Sequence, residues 1–393
     1  MKKVNYILAN GAKFHHFSIA KILHHRKQLS KIICGYPWFK LKNEKIPRRL
    51  VGSHGIFQIL RYPILNKKYF NKISKILDTL NSQYIDKQIC NFLKKKNDAD
   101  VLITLSPVGI NAGRKASQDK KMYICERSSA HITFQENILS EEYKEFMNID
   151  FKINPFFVEN ELKMYNESDI IMVPSQFAKN TFDKNLASKI FVNEFGTDTS
   201  NFFPNKKISR SDKYFDIIFI GQKSLQKGLH YLIEAFNNLK YPNKRLHIIG
   251  SDTLDKHFFD KKLKKDNIIV YGHIPQLKLN NLINKCHVLV LPSIQDGFGI
   301  VTLQALSSGC PIIVSENTGP VEIIKKYNCG MIVPIRSSVA IMNCLQELSD
   351  DKNKLKLLSE NALKFSYKNT WENYIDRLDD LVIKYQNNTK HNV

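Results

Sequence analysis

Acidic side chains are scarce where the chain begins. Residues 1–125 carry 6 Asp+Glu against 25 Lys+Arg, so nearly all of the formal net charge of +22 sits in the first third of the 393 residues. No C-x-x-C pair occurs among the seven cysteines, which removes zinc-ribbon sites. Their odd number and scatter exclude a disulfide framework and fit a reducing compartment. Long apolar runs are also missing. The longest uncharged stretch, Gly297–Ser315, holds glycines, serines, Gln304 and Pro311 and cannot serve as a membrane span. Lys2-Lys3 is followed only by Val4–Ala9 before Asn10-Gly11, too short for a signal core and better read as a strand. No low-complexity tract or short repeat appears.

What is present is a folded composition, 43% hydrophobic with 11% aromatic residues, in a chain long enough for two cores. Between Tyr36 and Leu77 the cations interleave with aromatics: Trp38, Phe39, Lys40, Arg48, Arg49, Phe57, Arg61 and Lys72 among them. Three readings of that segment stay open. It is a solvated basic face, a docking surface for an anionic membrane, or a nucleic-acid surface. No recognisable nucleic-acid module accompanies the charge, so no nucleic acid is expected as a partner.

Apolar runs without alternation recur through the chain, separated by helical patterns. Val4–Ala9, Ile32–Cys34, Val101–Leu105, Met122–Cys125, Ile170–Val173 and Ile190–Asn193 read as strands. His16–His25, Ile73–Lys94, Asn160–Ser168 and Ala178–Lys184 read as helices. The polar stretch Pro204–Lys213 breaks the pattern, and the same logic restarts with Asp216–Ile220. Buried parallel strands covered by helices produce such runs. The fold class is α/β, with two facing Rossmann-like, doubly wound domains. The boundaries expected are 1–205, 206–370 and a C-terminal helix and tail, 371–393, returning to the first domain.

The most informative stretch is Pro292–Ser315. A strand, Val288–Leu291, enters a loop with Asp296, Gly297 and Gly299. Ile300, Leu303 and Leu306 then recur at helical spacing, and Gly309 with Pro311 stops that helix. Glycines at a helix start let a phosphate approach free backbone N–H groups. A polar side chain eight residues on, Gln304, could hold a sugar or ribose hydroxyl.

Four segments in order resemble the family 4 glycosyltransferases of the GT-B fold. They are Val173–Phe182, Gly196–Pro204, Gly221–Gly228 and the stretch from Pro292 continued through Gly319–Ile324. The resemblance implies a retaining hexosyltransferase that uses a nucleoside diphosphate sugar, with no cofactor and no metal. It implies a glycan or lipid-linked acceptor, a role in cell-surface polysaccharide synthesis, and a cytoplasmic site of action, peripheral at the inner membrane face. Lys227 would face the leaving diphosphate and Asp296 the donor sugar. Gln222 stands where the family commonly has arginine, with Lys223 beside it as a substitute cation. Asp296 and Gln304 replace two glutamates. Phe298, Gly299, Ile300 and Val301 would form the phosphate cradle, and Gly272 with His273 the base pocket. On the first domain Glu126 and His131 are candidate catalytic residues; Gly11, His16 and Arg127 are candidate acceptor-side residues. The departures at Gln222, Asp296 and Gln304 leave a second reading, a catalytically degenerate nucleotide-sugar-binding module. An epimerase of similar fold fits the Gly196–Pro204 and Gly319–Ile324 segments less well.

Overall fold

Fully buried strands need apolar residues on both faces, and the chain supplies them in two sets. The computed structural model describes residues 3–61, 71–253, 255–272, 274–366 and 368–391. The first set is β1 (Tyr6–Asn10), β2 (Leu29–Cys34), β3 (Val51–Ser53), β4 (Val101–Leu105), β5 (Met122–Glu126), β6 (Ile170–Val173) and β7 (Ile190–Val192). They pair in parallel in the order β3-β2-β1-β4-β5-β6-β7. The second set is β8 (Phe215–Ile220), β9 (Lys244–Ile249), β10 (Ile268–Gly272), β11 (Val288–Leu291), β12 (Ile312–Ser315) and β13 (Gly330–Val333). Their order is β10-β9-β8-β11-β12-β13, again all parallel. Strand order reverses between β1 and β4 and between β8 and β11. Crevices at the carboxyl ends of such strands are where open α/β sheets bind ligands.

The last helix, Trp371–His391, returns to the first sheet, as the sequence predicts. Tyr6 donates its hydroxyl to Asp379 at 2.5 Å, Arg26 pairs with Asp376 at 2.7 Å, and Tyr385 reaches Asp169 at 2.7 Å. The two segments that pass between the halves run side by side. Thr197 N–H donates to the Asn369 carbonyl at 2.8 Å, and Asn369 Nδ2 donates to the Phe195 carbonyl at 2.8 Å. Gly196 sits in that seam, where an added Cβ would lie 2.2 Å from the Trp371 backbone nitrogen.

Among the described residues five α-helices were not foreseen: Ile56–Arg61, Ile110–Gln118, Ile132–Met147, Lys256–Phe259 and Val321–Tyr327. Ile110–Gln118 contains Gly113, packed against the Tyr123 ring, so close packing replaces a wide apolar stripe. Ile132–Met147 is rich in glutamate because it docks partly through charge on the second half. Its Glu142 is buried and binds His230 and Arg336, each at 2.8 Å; its Tyr143 hydroxyl donates to Asp255 at 2.8 Å. The expected helix Ala178–Lys184 is only Gln176–Asn180. Part of the basic–aromatic segment, residues 62–70, lies outside the described residues. Among the described residues no helix is long and apolar enough to cross a membrane.

Two outcomes follow for stability. Gly196→Ala should lower the unfolding free energy by about 1–3 kcal/mol, because the clash is with backbone; an unchanged urea midpoint would contradict the close seam. Asp216 on β8 is buried, which raises its pKa, but hydrogen bonds from His247 and Arg245 outweigh that and hold it at about 2. Its contribution is present above the unfolded value and is lost as pH falls from roughly 4 toward about 2. The acid limb of the stability curve should therefore flatten in Asp216→Asn.

Candidate functional site

Two loops at the carboxyl ends of β8 and β11 are stitched together. Gly228 takes φ +64°, and an added Cβ there would meet the Pro292 carbonyl, so only glycine fits. Ile294 N–H donates to the Gln226 carbonyl at 2.9 Å. This places Lys227 Nζ 2.5 Å from Asp296 Oδ2, a partly exposed ion pair. The two residues assigned to diphosphate and sugar from the sequence are thus brought together.

Gly299, at φ +76°, opens the helix Ile300–Ser307 without any side-chain cap. Thr302 N–H is taken by the Gly299 carbonyl at 2.9 Å, which leaves the N–H groups of Ile300 and Val301 at the positive end of the helix dipole. Phe298 does not offer its ring to a ligand. It is buried against Phe195, with centroids 5.3 Å apart. Ile300 and Gln304 line the wall of a cleft of about 730 Å³, opposite Lys13, His15 and Lys21 of the first half. Gln222 is exposed and carries no charge. Lys223 is buried and engaged by Asp252 at 2.6 Å, so its ammonium is already neutralised. Gly272 sits at φ +65° with open space around its Cβ position, and its carbonyl accepts from Gly250 at 2.8 Å. His273 lies outside the described residues.

The first half meets these loops directly. Ser175 Oγ donates to the Gly297 carbonyl at 2.6 Å, and Ser129 Oγ to Gln295 Oε1 at 3.1 Å. Glu126 ends β5, and its carboxylate takes His15 Nε2 at 2.5 Å and His16 Nε2 at 2.6 Å. Burial would raise its pKa, but the two imidazoles hold it well below the usual carboxylate range. His16 is fully buried, and burial lowers its pKa. The histidine that reaches the cleft is His15, not His16. Sequence reasoning missed it because adjacent histidines at a helix start give no sign of which one faces inward.

Arg127 turns away from its neighbour Glu126. It binds Glu161 at 2.8 Å, Gln135 at 2.5 Å and the Ala130 carbonyl at 2.9 Å. With Gly11 it lines a separate groove beside Phe14 and Val108. His131 caps the helix Ile132–Met147, with Nδ1 2.7 Å from the Thr133 hydroxyl and its ring against Tyr165 and Phe182. Its burial lowers its pKa. Neither Glu126 nor His131 lines the cleft that holds Gln304.

The family described as "Glycosyl transferases group 1" matches residues 202–365. The uncharacterized glycosyltransferase MJ1178 of Methanocaldococcus jannaschii is 27% identical over 52% of this chain and 56% of its own length. The capsular polysaccharide biosynthesis glycosyltransferase CapM of Staphylococcus aureus is 26% identical over 56% of this chain and 64% of its own. The chain thus spans just over half to nearly two thirds of the length of these relatives. The crystal structure of Anabaena HepE in complex with UDP-glucose superposes with a TM-score of 0.68 at 14% identity, covering 96% of this chain and 99% of that one. The two sheets and their switch points are those of the GT-B fold, and residues 202–365 within it are similar to the group 1 glycosyltransferases.

Proposed function

We propose that the protein is a retaining glycosyltransferase that moves a hexosyl group from a nucleoside diphosphate sugar to a hydroxyl of a glycan or glycolipid, in the synthesis of a surface polysaccharide. The observation that carries this reading is the Lys227–Asp296 pair beside the open N-terminus of Ile300–Ser307. A diphosphate at that terminus competes with Asp296 for Lys227. The lysine then faces phosphate, and the carboxylate is released toward the sugar. In the transfer the bond from the anomeric carbon to the diphosphate oxygen breaks, and a bond to the acceptor oxygen forms on the same face. The hydroxyl proton passes to the departing phosphate, which needs no separate protein base. Charge on that phosphate grows toward the transition state, where Lys227 and the backbone N–H groups act. The reaction needs no cofactor. The CapM name supports the polysaccharide setting, and the HepE complex makes UDP sugars the first donors to test.

The acceptor is proposed to be lipid-linked at an anionic membrane surface on the cytoplasmic side. Ile56, Ile59 and Leu60 on one helix and Ile73 and Ile76 on the next are exposed in the most basic third of the chain. Apolar side chains among cations suit an interfacial docking surface.

Incubation with a panel of UDP and GDP sugars, with released nucleotide and a glycosylated product as readouts, tests the activity. Binding of nucleotide sugars without turnover of any would favour a degenerate binding module. Lys227→Ala should cost ~10²–10³ in kcat; a rate near wild type would remove it from the site. Asp296→Asn should tighten UDP binding by up to roughly fivefold, because a partly exposed ion pair worth ~0.2–1 kcal/mol no longer holds the lysine. The same variant should lose transfer.

A further inference from the structure

The His15 ring is held on three sides. Its Nε2 lies 2.5 Å from Glu126 Oε1. One face is tilted over Phe195 at 4.3 Å between centroids, and Trp371 stacks parallel to it at 6.0 Å with 6° between planes. Those two aromatics belong to the paired segments that pass between the halves. His15 is therefore placed by the hinge region and by a buried carboxylate, yet it lines the cleft together with Gln304.

An ionised carboxylate only accepts hydrogen bonds. Glu126, buried between two imidazoles and held ionised, requires an N–H from each ring. That requirement puts the proton on Nε2 of both His15 and His16. In a neutral imidazole the second nitrogen is then a lone-pair acceptor. Nδ1 of His16 is fully buried without a partner and can serve no ligand. Nδ1 of His15 belongs to the ring that lines the cleft.

The same three side chains place ligand atoms within 4.8 Å of one another, close enough to raise a metal site. A metal on the Nε2 atoms would force both protons onto Nδ1. Metal-bound histidines place that N–H on a carbonyl or carboxylate, and the His16 Nδ1 environment offers none. The buried, unpartnered Nδ1 thus favours the hydrogen-bonded arrangement over the metal one.

We propose that His15 Nδ1 accepts a hydrogen bond from a hydroxyl of the acceptor saccharide and orients it in the cleft, with Glu126 as the positioning residue that fixes the tautomer. This rests on the glycosyl-transfer reading above. A fixed lone pair welcomes a hydroxyl and repels phosphate oxygens, which only accept. The contact is therefore one for a saccharide hydroxyl and not for the donor's diphosphate, and the glycoside titration below tests the acceptor sugar in the absence of any donor.

Three measurements test it. With nitrogen-15-labelled histidine, imidazole spectra of the intact protein should show His15 as the Nε2–H tautomer, and Glu126→Gln should mix the tautomers. An Nδ1–H form in wild type would overturn the proposal. Titration with a panel of octyl glycosides should shift the His15 Nδ1 resonance; no shift with any of them counts against it. This arm does not need turnover, so it separates failure here from failure of the transferase reading. In transfer from UDP sugars to the same glycosides, His15→Phe keeps the ring stack and should lose at least tenfold in rate, with UDP affinity unchanged. His15→Gln, which can both donate to Glu126 and accept from a ligand, should recover part of that rate. Equal losses of UDP binding and transfer in His15→Phe would overturn the assignment. So would tight zinc binding that displaces both ring signals.

Discussion

Everything at the site depends on how closely the two halves approach at Gly297. A Cβ there would lie 2.2 Å from the Ser128 carbonyl oxygen, so no side chain fits between the loop after β11 and the loop after β5. That contact, with Ser175 donating to the Gly297 carbonyl, brings the strand ends of two separate sheets together. Neither sheet alone contains the constellation. Lys227, Asp296 and the helix start come from the second half, and His15 with its carboxylate from the first. The paired segments around Gly196 and Trp371 hold the halves in register from behind.

The charges at the ends of the two sheets are handled differently in the two halves. On the second half the Lys227–Asp296 pair is partly exposed and can exchange partners at little cost. On the first half Glu126 is buried and its charge is met by two fixed rings, so it has no freedom to change partner without leaving a buried charge uncompensated. One pair is suited to a ligand that arrives and departs; the other is suited to holding a side chain still. Lys223 falls on the fixed side as well, since Asp252 engages it. The second cation that the sequence offered beside Gln222 is thus spent on structure. In the cleft lined by Gln304, Lys13 and Lys21 both pair with Glu44, so that group keeps one net positive charge.

Much of this was legible in the chain. Most of both sheets could be read because parallel strands buried on two faces leave unbroken apolar runs, and β8 and β11 followed those runs closely, whereas the edge strands β3 and β13 were not read. The Pro292–Ser315 motif could be read because glycine positions report backbone needs, and Gly299 does take the left-handed conformation. What could not be read has a common cause. His15, Glu126 and His131 take their surroundings from residues far away in sequence: Phe195, Trp371, Tyr165, Phe182. A histidine that caps a helix and one that faces a cleft look alike in a string of letters. The charged helix Ile132–Met147 was missed for the same reason, since its glutamates find partners at His230 and Arg336.

That helix links the two halves. Its Tyr143 donates to Asp255, and Asp255 also accepts the Leu225 N–H at 2.9 Å, within the loop that carries Lys227. A helix that starts at His131 on the first half thus ends by bracing the loop of the second half that would face the diphosphate. Closing the cleft and shaping that loop are one packing event. Burial raises the Asp255 pKa, and the backbone N–H of Leu225 and the Tyr143 hydroxyl act against that rise. The brace is therefore firmest when both donors are in place, which is the condition that the closed arrangement of the halves provides. The departures at Gln222 and Gln304 leave this framework untouched, because neither side chain takes part in it.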